Sequence, residues 1–183
     1  MWRIVTDAVR YSGMTIELRR ANVDDAPAIA GVSIESWRAA YEGLMPAQVL
    51  DALDLGQRTG RWKAHLAAPT ISVFVAVDTD EVIGFSSVRP TRDETADERV
   101  GEIPAIYLLE SHWRVGVGRR LCERALDEAR GRKFEEVTLW VLDTNESARR
   151  FYEGLGFHAD GGAKTDTKLT GSAINEVRYR ITL

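Results

Sequence analysis

Along the chain the apolar positions change their spacing several times, and each change marks an element. Thr15-Ile16-Glu17-Leu18-Arg19-Arg20 alternates as a half-buried strand does. Asp24-Asp25 ahead of Pro27 predicts a helix start, because an Asx side chain caps free amides and proline suits the first turn. Ala26, Ile29, Ala30, Ser33, Trp37 and Tyr41 then recur at three-to-four spacing, one face of a helix that stops near Gly43. A second helical stretch over 46–67 is expected to break at Gly56 and Gly60, with Val49, Leu50, Leu53, Trp62 and Leu66 inward. After Pro69 the pattern turns to strands, 71–77 and 81–88, joined through Asp78-Thr79-Asp80 as a β-hairpin. The charged segment 89–99 reads as an exposed loop, 103–109 as an apolar strand and 118–130 as a helix. On that helix Leu121, Cys122, Ala125, Leu126 and Ala129 share one face. The apolar run 137–142 fits a strand covered on both faces, 145–154 a short helix, and two closing strands are expected near 164–169 and 176–182. The order β-α-α-β-β-β-α-β-α-β-β predicts an α/β domain, a mixed central sheet with flanking helices and one central parallel βαβ unit.

Residues 1–13 carry no clear periodicity and end in Tyr11-Ser12-Gly13, just ahead of a second methionine, Met14. They read as an N-terminal extension, a start ahead of the true one, or a docked arm, leaving 14–183 as the domain. The length of 183 residues, with 44% hydrophobic and 28% charged, fits one globular domain with a real core. Lys plus Arg number 24 against 28 Asp plus Glu, and a net charge of −4 argues against general nucleic-acid binding. One cysteine excludes an internal disulfide and a cysteine-only metal cluster. No apolar run approaches the ~18–20 residues that span a bilayer, and the first thirteen residues lack a signal peptide's apolar stretch, which together predict no membrane partner and a cytoplasmic location.

The chemistry concentrates where a strand meets a helix. Trp113-Arg114-Val115-Gly116-Val117-Gly118-Arg119 follows the 103–109 strand and opens the next helix, and its glycines let successive amides converge on an anion. From Arg114 to Lys133 seven basic residues face three acidic ones, a local +4 that suits a compact polyphosphate. A Rossmann fingerprint is absent, since the third glycine and the acidic residue are missing, and so is the Gly-Lys-Ser/Thr of a P-loop.

With its neighbours this stretch resembles the GNAT superfamily of acyl-CoA-dependent N-acyltransferases. Trp113-Arg114-Val115-Gly116-Val117-Gly118 falls on the Gln/Arg-x-x-Gly-x-Gly/Ala signature, with tryptophan in place of the Gln or Arg. Glu102-Ile103-Pro104-Ala105-Ile106-Tyr107-Leu108-Leu109 resembles the family's fourth strand, and 145–157 its Asn-x-x-Ala-x-x-Phe-Tyr-x-x-x-Gly-Phe element. The resemblance covers roughly 15–183 and implies acetyl-CoA as cosubstrate, no metal, and direct attack by an amine of a small molecule or peptide. Glu102 is implied as general base and Tyr152 as the hydroxyl that protonates the departing thiolate. Leu108, Arg114, Val115, Gly116, Val117, Gly118, Arg119, Asn145 and Tyr152 are implied to bind the cosubstrate, with the amide of Leu109 polarising the thioester carbonyl. Trp37 and Tyr41 fall where the family builds its acceptor pocket, although residues of this kind are more often core or dimer contacts, here in a possible homodimer. Pro104, which lacks a ladder donor, suits the divergence of the fourth and fifth strands through which pantetheine enters.

The remaining candidates are weaker. Glu42 and His65 are alternative bases, and an exposed helix position accounts for His65. Asn145 is also a good helix N-cap. Cys122 reads as core, and His112 and His158 have no partners at metal-ligand spacing. Two readings from other classes compete with the enzyme: a non-catalytic acyl-CoA sensor or scaffold on the same fold, and a nucleotide-binding protein, for which no ribose or Mg²⁺ residues are visible.

Overall fold

A computed structural model describes residues 7–11, 14–93, 96–166 and 174–183. Of the proposed extension, residues 1–6, 12 and 13 lie outside them. The eight strands are β1 (Asp7–Tyr11), β2 (Met14–Arg20), β3 (Ser72–Asp78), β4 (Glu81–Pro90), β5 (Val100–Leu108), β6 (Glu136–Leu142), β7 (His158–Asp166) and β8 (Ile174–Thr182). They form one mixed sheet in the order β1-β2-β3-β4-β5-β6-β8-β7. The helices are α1 (Ala26–Tyr41), α2 (Ala47–Asp51), α3 (Leu55–Ala67), α4 (Val117–Gly131) and α5 (Glu146–Glu153). The predicted architecture is therefore the observed one, with β1 added at the edge of the sheet, antiparallel to β2.

Two local differences have physical causes. The helix over 46–67 breaks at 52–54, not at Gly56 and Gly60, because Asp54 caps α3 by accepting from the Gln57 amide at 2.7 Å. Both glycines then sit inside α3, each at an intrinsic cost of about 1 kcal/mol relative to alanine. The strand expected at 164–169 runs instead over His158–Asp166, with 167–169 outside the described residues. Its His-Ala-Asp-Gly-Gly opening hides it, since a bulge between Ala159 and Ala163 with Gly161 at φ +85° stands where a β-branched run would be. The β3–β4 hairpin turns as expected, with Thr79 and Asp80 both at positive φ.

Packing places α1 and α3 on one face of the sheet and α4 on the other. Ile29 and Val32 of α1, with Trp62 and Leu66 of α3, cover Val73, Val75, Val82 and Phe85. Val117 and Leu121 of α4 meet Ile16, Leu18, Ala76, Ile83 and Leu108, while Cys122, Ala125 and Ala129 meet Phe74, Val137 and Leu139.

The parallel pairing of β5 with β6 is short. It holds from Val100 opposite Glu136 to Glu102 opposite Thr138 and then stops. The β4–β5 ladder shifts register at the same level, between the Arg89–Glu102 and Ser87–Ala105 pairs, so that Ile103 and Pro104 bulge. Pro104 is exposed and has no N–H to give to β6. Beyond it the two strands separate.

Candidate active site

The separation of β5 from β6 opens a cleft of about 850 Å³ between the end of α1, β5, the turn before α4, and α5. Its wall along β5 has a definite hydrogen-bonding parity. The Leu109 amide donates to the Ile83 carbonyl at 2.9 Å, which makes Ile83–Leu109 a bonded pair of the β4–β5 ladder. Antiparallel pairs alternate, so the N–H and C=O groups of Leu108 and Ile106 face away from β4, towards the open side. The Leu109 amide is therefore spent within the sheet and cannot polarise a thioester; the free-edge amide at this level belongs to Leu108. The Leu108 carbonyl accepts from the Trp113 indole Nε1 at 2.8 Å.

The turn before α4 supplies a second row of donors. Trp113 closes a short 3₁₀ turn, Glu110–His112, and Arg114 (φ +62°) and Gly116 (φ +88°) then take left-handed conformations. Gly116 is the N-cap of α4 and carries no capping side chain. A Cβ at that φ would be strained, and the turn needs it. Among the described residues the amides from Arg114 to Arg119 have no hydrogen-bond partner, the first intrahelical bond being Arg120 N to Gly116 O at 3.2 Å. Arg114, Gly116, Gly118 and Arg119 of this turn line the cleft, and unpaired amides at a helix N-terminus beside an arginine form a donor set that fits a pyrophosphate. The Arg119 side chain is used differently, donating to the Gly154 carbonyl at 2.9 Å and tying α4 to the end of α5.

Across the cleft stands α5. The Asn145 side chain accepts from the Ala148 amide at 3.0 Å as the N-cap, and its NH₂, a donor on a residue that lines the cleft, makes no hydrogen bond among the described residues. Tyr152 lines the same cleft between Phe151 and Phe157, with ring centroids at 5.3 and 6.0 Å. Its hydroxyl makes no hydrogen bond among the described residues. Burial, then the neighbouring Cys122 and Tyr107, push its pKa well above the ordinary phenol value. Cys122 is core, as expected from its helix face, with burial foremost pushing its thiol up to about 12.

At the α1 end, Tyr41 and Tyr107 line the cleft. Trp37 packs edge-on to Tyr41 at 5.1 Å and tilted to Tyr107 at 6.4 Å. Burial raises both tyrosines' pKa values; for Tyr107 the adjacent Tyr41, Trp37 and Arg58 pull the other way. Glu42 follows on the rim, exposed and facing the cleft.

Glu102 is not among these residues. Its side chain is 3% exposed, and it accepts from Arg92 NH2 at 2.7 Å and the Arg92 backbone amide at 3.2 Å, with Arg89 at 3.5 Å. Burial pushes its pKa up, but the Arg92 hydrogen bonds and the charges of Arg92 and Arg89 outweigh it and hold the carboxyl below its usual range. The residue expected as general base is therefore a buried, ion-paired carboxylate that does not line the cleft, an arrangement that lowers its readiness to accept a proton. His65 is likewise not an exposed helix residue. It is half-buried against Trp62, and burial, then Arg89, Arg92 and Arg61, lower its pKa. Nothing in the sequence spacing of Arg89 and Arg92 links them to Glu102, so the pairing was not legible there.

Among the described residues, no group of three His, Cys, Asp or Glu side chains converges on one point, and no helix is long and apolar enough to cross a membrane.

Comparison with known proteins gives the class. The acetyltransferase (GNAT) family matches residues 36–157. The uncharacterized N-acetyltransferase YuaI of Bacillus subtilis is 31% identical over 163 residues, which cover 88% of this chain and 90% of that protein. The probable N-acetyltransferase Rv2775 of Mycobacterium tuberculosis is 29% identical, over 91% of this chain and 93% of its own. The crystal structure of PaiA N-acetyltransferase from Thermoplasma acidophilum in complex with coenzyme A superposes with a TM-score of 0.75 at 19% identity, covering 93% of this chain and all of that one. The chain belongs to the acetyltransferase (GNAT) family and is by class an acyl-CoA-dependent acetyltransferase.

Proposed function

We propose that the protein transfers the acetyl group of acetyl-CoA to an amine of a small molecule or peptide by direct attack. The observation that carries this reading is the convergence on one cleft of two sets of unpaired backbone donors, the amides from Arg114 to Arg119 and the free edge of β5 at Leu108.

Bound acetyl-CoA supplies a thioester whose carbonyl carbon an amine can attack. In this reading the α4 turn holds the pyrophosphate, Asn145 donates to the pantetheine arm, and the Leu108 amide polarises the thioester carbonyl. The amine is protonated in water, with a pKa near ~10.4 for an alkylammonium, and must lose a proton first. Glu42, on the cleft rim, takes it directly or through water, while Glu102 anchors the Arg89–Arg92 pair. The amide C–N bond forms as the C–S bond breaks; the second proton on nitrogen passes to water, or to Glu42 once it has released the first, and the sulfur leaves as a thiolate that takes its proton from solvent. Tyr152 is the donor for that sulfur. Its raised pKa keeps the hydroxyl protonated and makes full transfer to a thiolate, whose acid has a pKa of about 8.5, uphill. Its contribution is therefore chiefly a charge-assisted hydrogen bond.

The test has two stages. Calorimetry with acetyl-CoA comes first, followed by thiol release against a panel of primary amines with acetylated product identified by mass. Binding with amine-dependent release is the expected result. Tight binding with no release above the no-amine rate for any amine would favour the sensor or scaffold reading.

A further inference from the structure

We infer that the acceptor nitrogen is the α-amine of a peptide or amino-acid amide, which enters the cleft already neutral, and not the amine of a lysine side chain or a simple alkylamine; this rests on the acetyltransferase reading above. The cleft wall is poor in bases. Among the described residues, the ionisable side chains that line it are Tyr41, Glu42, Tyr107, Arg114, Arg119, Glu146 and Tyr152. The arginines are already protonated, and the three tyrosines are phenols whose pKa values burial, foremost, raises. They are hydroxyl donors and not proton acceptors. Glu146 lies on α5, at the end assigned to the cosubstrate, 3.3 Å from Arg150. Among the same residues Glu42 is the one carboxylate lining the acceptor end, and it stands exposed on the rim.

Groups behind the wall are engaged elsewhere. The three histidines do not line the cleft: His65 packs against Trp62, His112 lies 3.6 Å from Asp78, and His158 opens β7. Glu102 is held by Arg92 and Arg89. Glu176 acts from β8 on Tyr41, Tyr107 and Arg92, but it does not line the cleft and pairs with Lys164 at 3.0 Å. At Tyr107 its charge is opposed by Arg58, which acts on the same hydroxyl in the opposite sense. Deprotonation is then left to the acceptor's own equilibrium with water. An alkylammonium, with a pKa near ~10.4, is about 0.1% neutral at about pH 7.5, whereas an α-ammonium, near ~7.9, is about 30% neutral. The carbonyl group next to an α-amine draws electrons from nitrogen, and its oxygen also suits a wall of phenol hydroxyls. A neutral α-amine attacks the thioester carbon without prior help. The new C–N bond leaves nitrogen strongly acidic; its proton passes to Glu42 or water as the C–S bond breaks, and the thiolate takes a proton from solvent. A carboxylate suffices for that step and not for the first, since carboxylates titrate about six units below an alkylammonium.

The test begins with alanyl-lysine amide, which offers both kinds of amine in one molecule, incubated with acetyl-CoA and the full chain at about pH 7.5. Fragment masses report which nitrogen carries the acetyl group, after subtraction of the enzyme-free rate. The α-product should exceed the ε-product about tenfold or more, the ~200-fold advantage in neutral amine being partly offset by the greater nucleophilicity of the more basic nitrogen. Next, kcat/KM is followed between about pH 6 and pH 10 for L-leucinamide and for 3-methylbutylamine, the same skeleton without the carboxamide. The leucinamide profile should level off near ~8 and the alkylamine profile should keep rising about tenfold per pH unit towards ~10.4, each tracking its own acceptor. Glu42→Gln should lower both by a similar factor and leave both midpoints in place. An ε-product equal to or above the α-product, or an alkylamine profile that levels off at or below about pH 8, would reveal a base at the acceptor end and overturn the inference. So would a loss in Glu42→Gln confined to the alkylamine and recovered at high pH. Each of these leaves the acetyltransferase reading intact. Acetyl-CoA bound without acetylated product from any of these amines would sink that reading and the inference with it. A thermal melt of Glu42→Gln shows that it is folded.

Discussion

At the α4 end of the cleft the groups without hydrogen-bond partners among the described residues are main-chain amides of consecutive residues, Arg114 to Arg119, whereas at the α1 end the lining consists of side chains from separate elements, Tyr41, Glu42 and Tyr107. The first arrangement is set by where a strand ends and a helix begins, and it tolerates changes of side chain as long as the turn keeps its φ angles. The second depends on every side chain that takes part. One end is thus suited to a constant ligand and the other to a variable one. Substitutions should divide along the same line, damaging the first end through the backbone and the second through single functional groups.

The largest effect is expected from Gly116→Val. The residue caps α4 at φ +88°, where a β-branched side chain is strained, and relieving that strain turns the amides away from their common focus. Affinity for CoA should fall by about 100-fold or more, the equivalent of losing one or two charge-assisted hydrogen bonds, in calorimetry. A melt is needed alongside, because the turn also loses stability. Retained affinity would move pyrophosphate binding away from this turn.

Tyr152→Phe should act on rate and leave CoA affinity nearly unchanged. General-acid groups contribute ~10²–10⁴-fold, and a hydroxyl whose pKa is raised should stand at or below the lower end, so about a 10- to 100-fold drop in kcat is expected. Full turnover in the Phe variant, with chemistry limiting, would reduce Tyr152 to packing against Phe151 and Phe157.

How much of this was legible in the sequence follows the same division. The α4 turn could be read directly, since Gly116, Gly118 and the basic run are contiguous and a local pattern fixes their geometry. Asn145 and Tyr152 were legible for the same reason, sitting on one short helix at fixed spacing. Pro104 announced the separation of β5 from β6, because a missing N–H is a property of the residue itself. The amide of Leu109, expected to face the thioester, is bonded to β4 instead, since ladder parity is decided by the register with β4, and a one-residue step reverses every amide. Glu102 was assigned from its strand position, while its behaviour is set by Arg92, which enters from a loop ten residues earlier. Long-range side-chain pairing is what the linear pattern does not carry.

Glu102→Gln sharpens this contrast through pH. The folded-state pKa of Glu102 lies below the unfolded value, so its stabilising contribution is complete above an unfolded pKa of about 4.3 and is lost as pH falls through the folded value. The Gln variant should be less stable than wild type by about 1–2 kcal/mol near neutral pH, a figure kept low because Arg92 is largely exposed. Denaturant titrations at several pH values should show this gap narrowing as pH falls below the unfolded value of about 4.3, and closing below the lower folded-state value, where wild-type Glu102 is itself protonated. The rate should change only a few-fold, with no trend towards recovery at high pH. A deep loss of rate that shrinks as pH rises would instead restore Glu102 as the base.

The smallest effect is expected at Trp113, where this chain departs most visibly from the family signature. Replacing it by Gln puts the customary residue type back, and if a side chain at this position governed the phosphate, affinity should rise sharply. The geometry argues otherwise. The indole donates to the Leu108 carbonyl, 2.8 Å away, and the anion is left to the amides that follow. Trp113→Gln exchanges one neutral hydrogen bond for another or for water, worth at most about 1 kcal/mol, so CoA affinity should move by no more than a few-fold in calorimetry. Because the Leu108 carbonyl adjoins the amide assigned to the thioester, the small change should appear in kcat/KM before it appears in binding. Trp113→Phe, which keeps the ring and removes the donor, separates the two contributions: it should reproduce the kinetic effect of Gln if the indole N–H positions this edge of β5. A tenfold gain in CoA affinity for Trp113→Gln would show that side chains, and not the backbone, set binding at this end of the cleft.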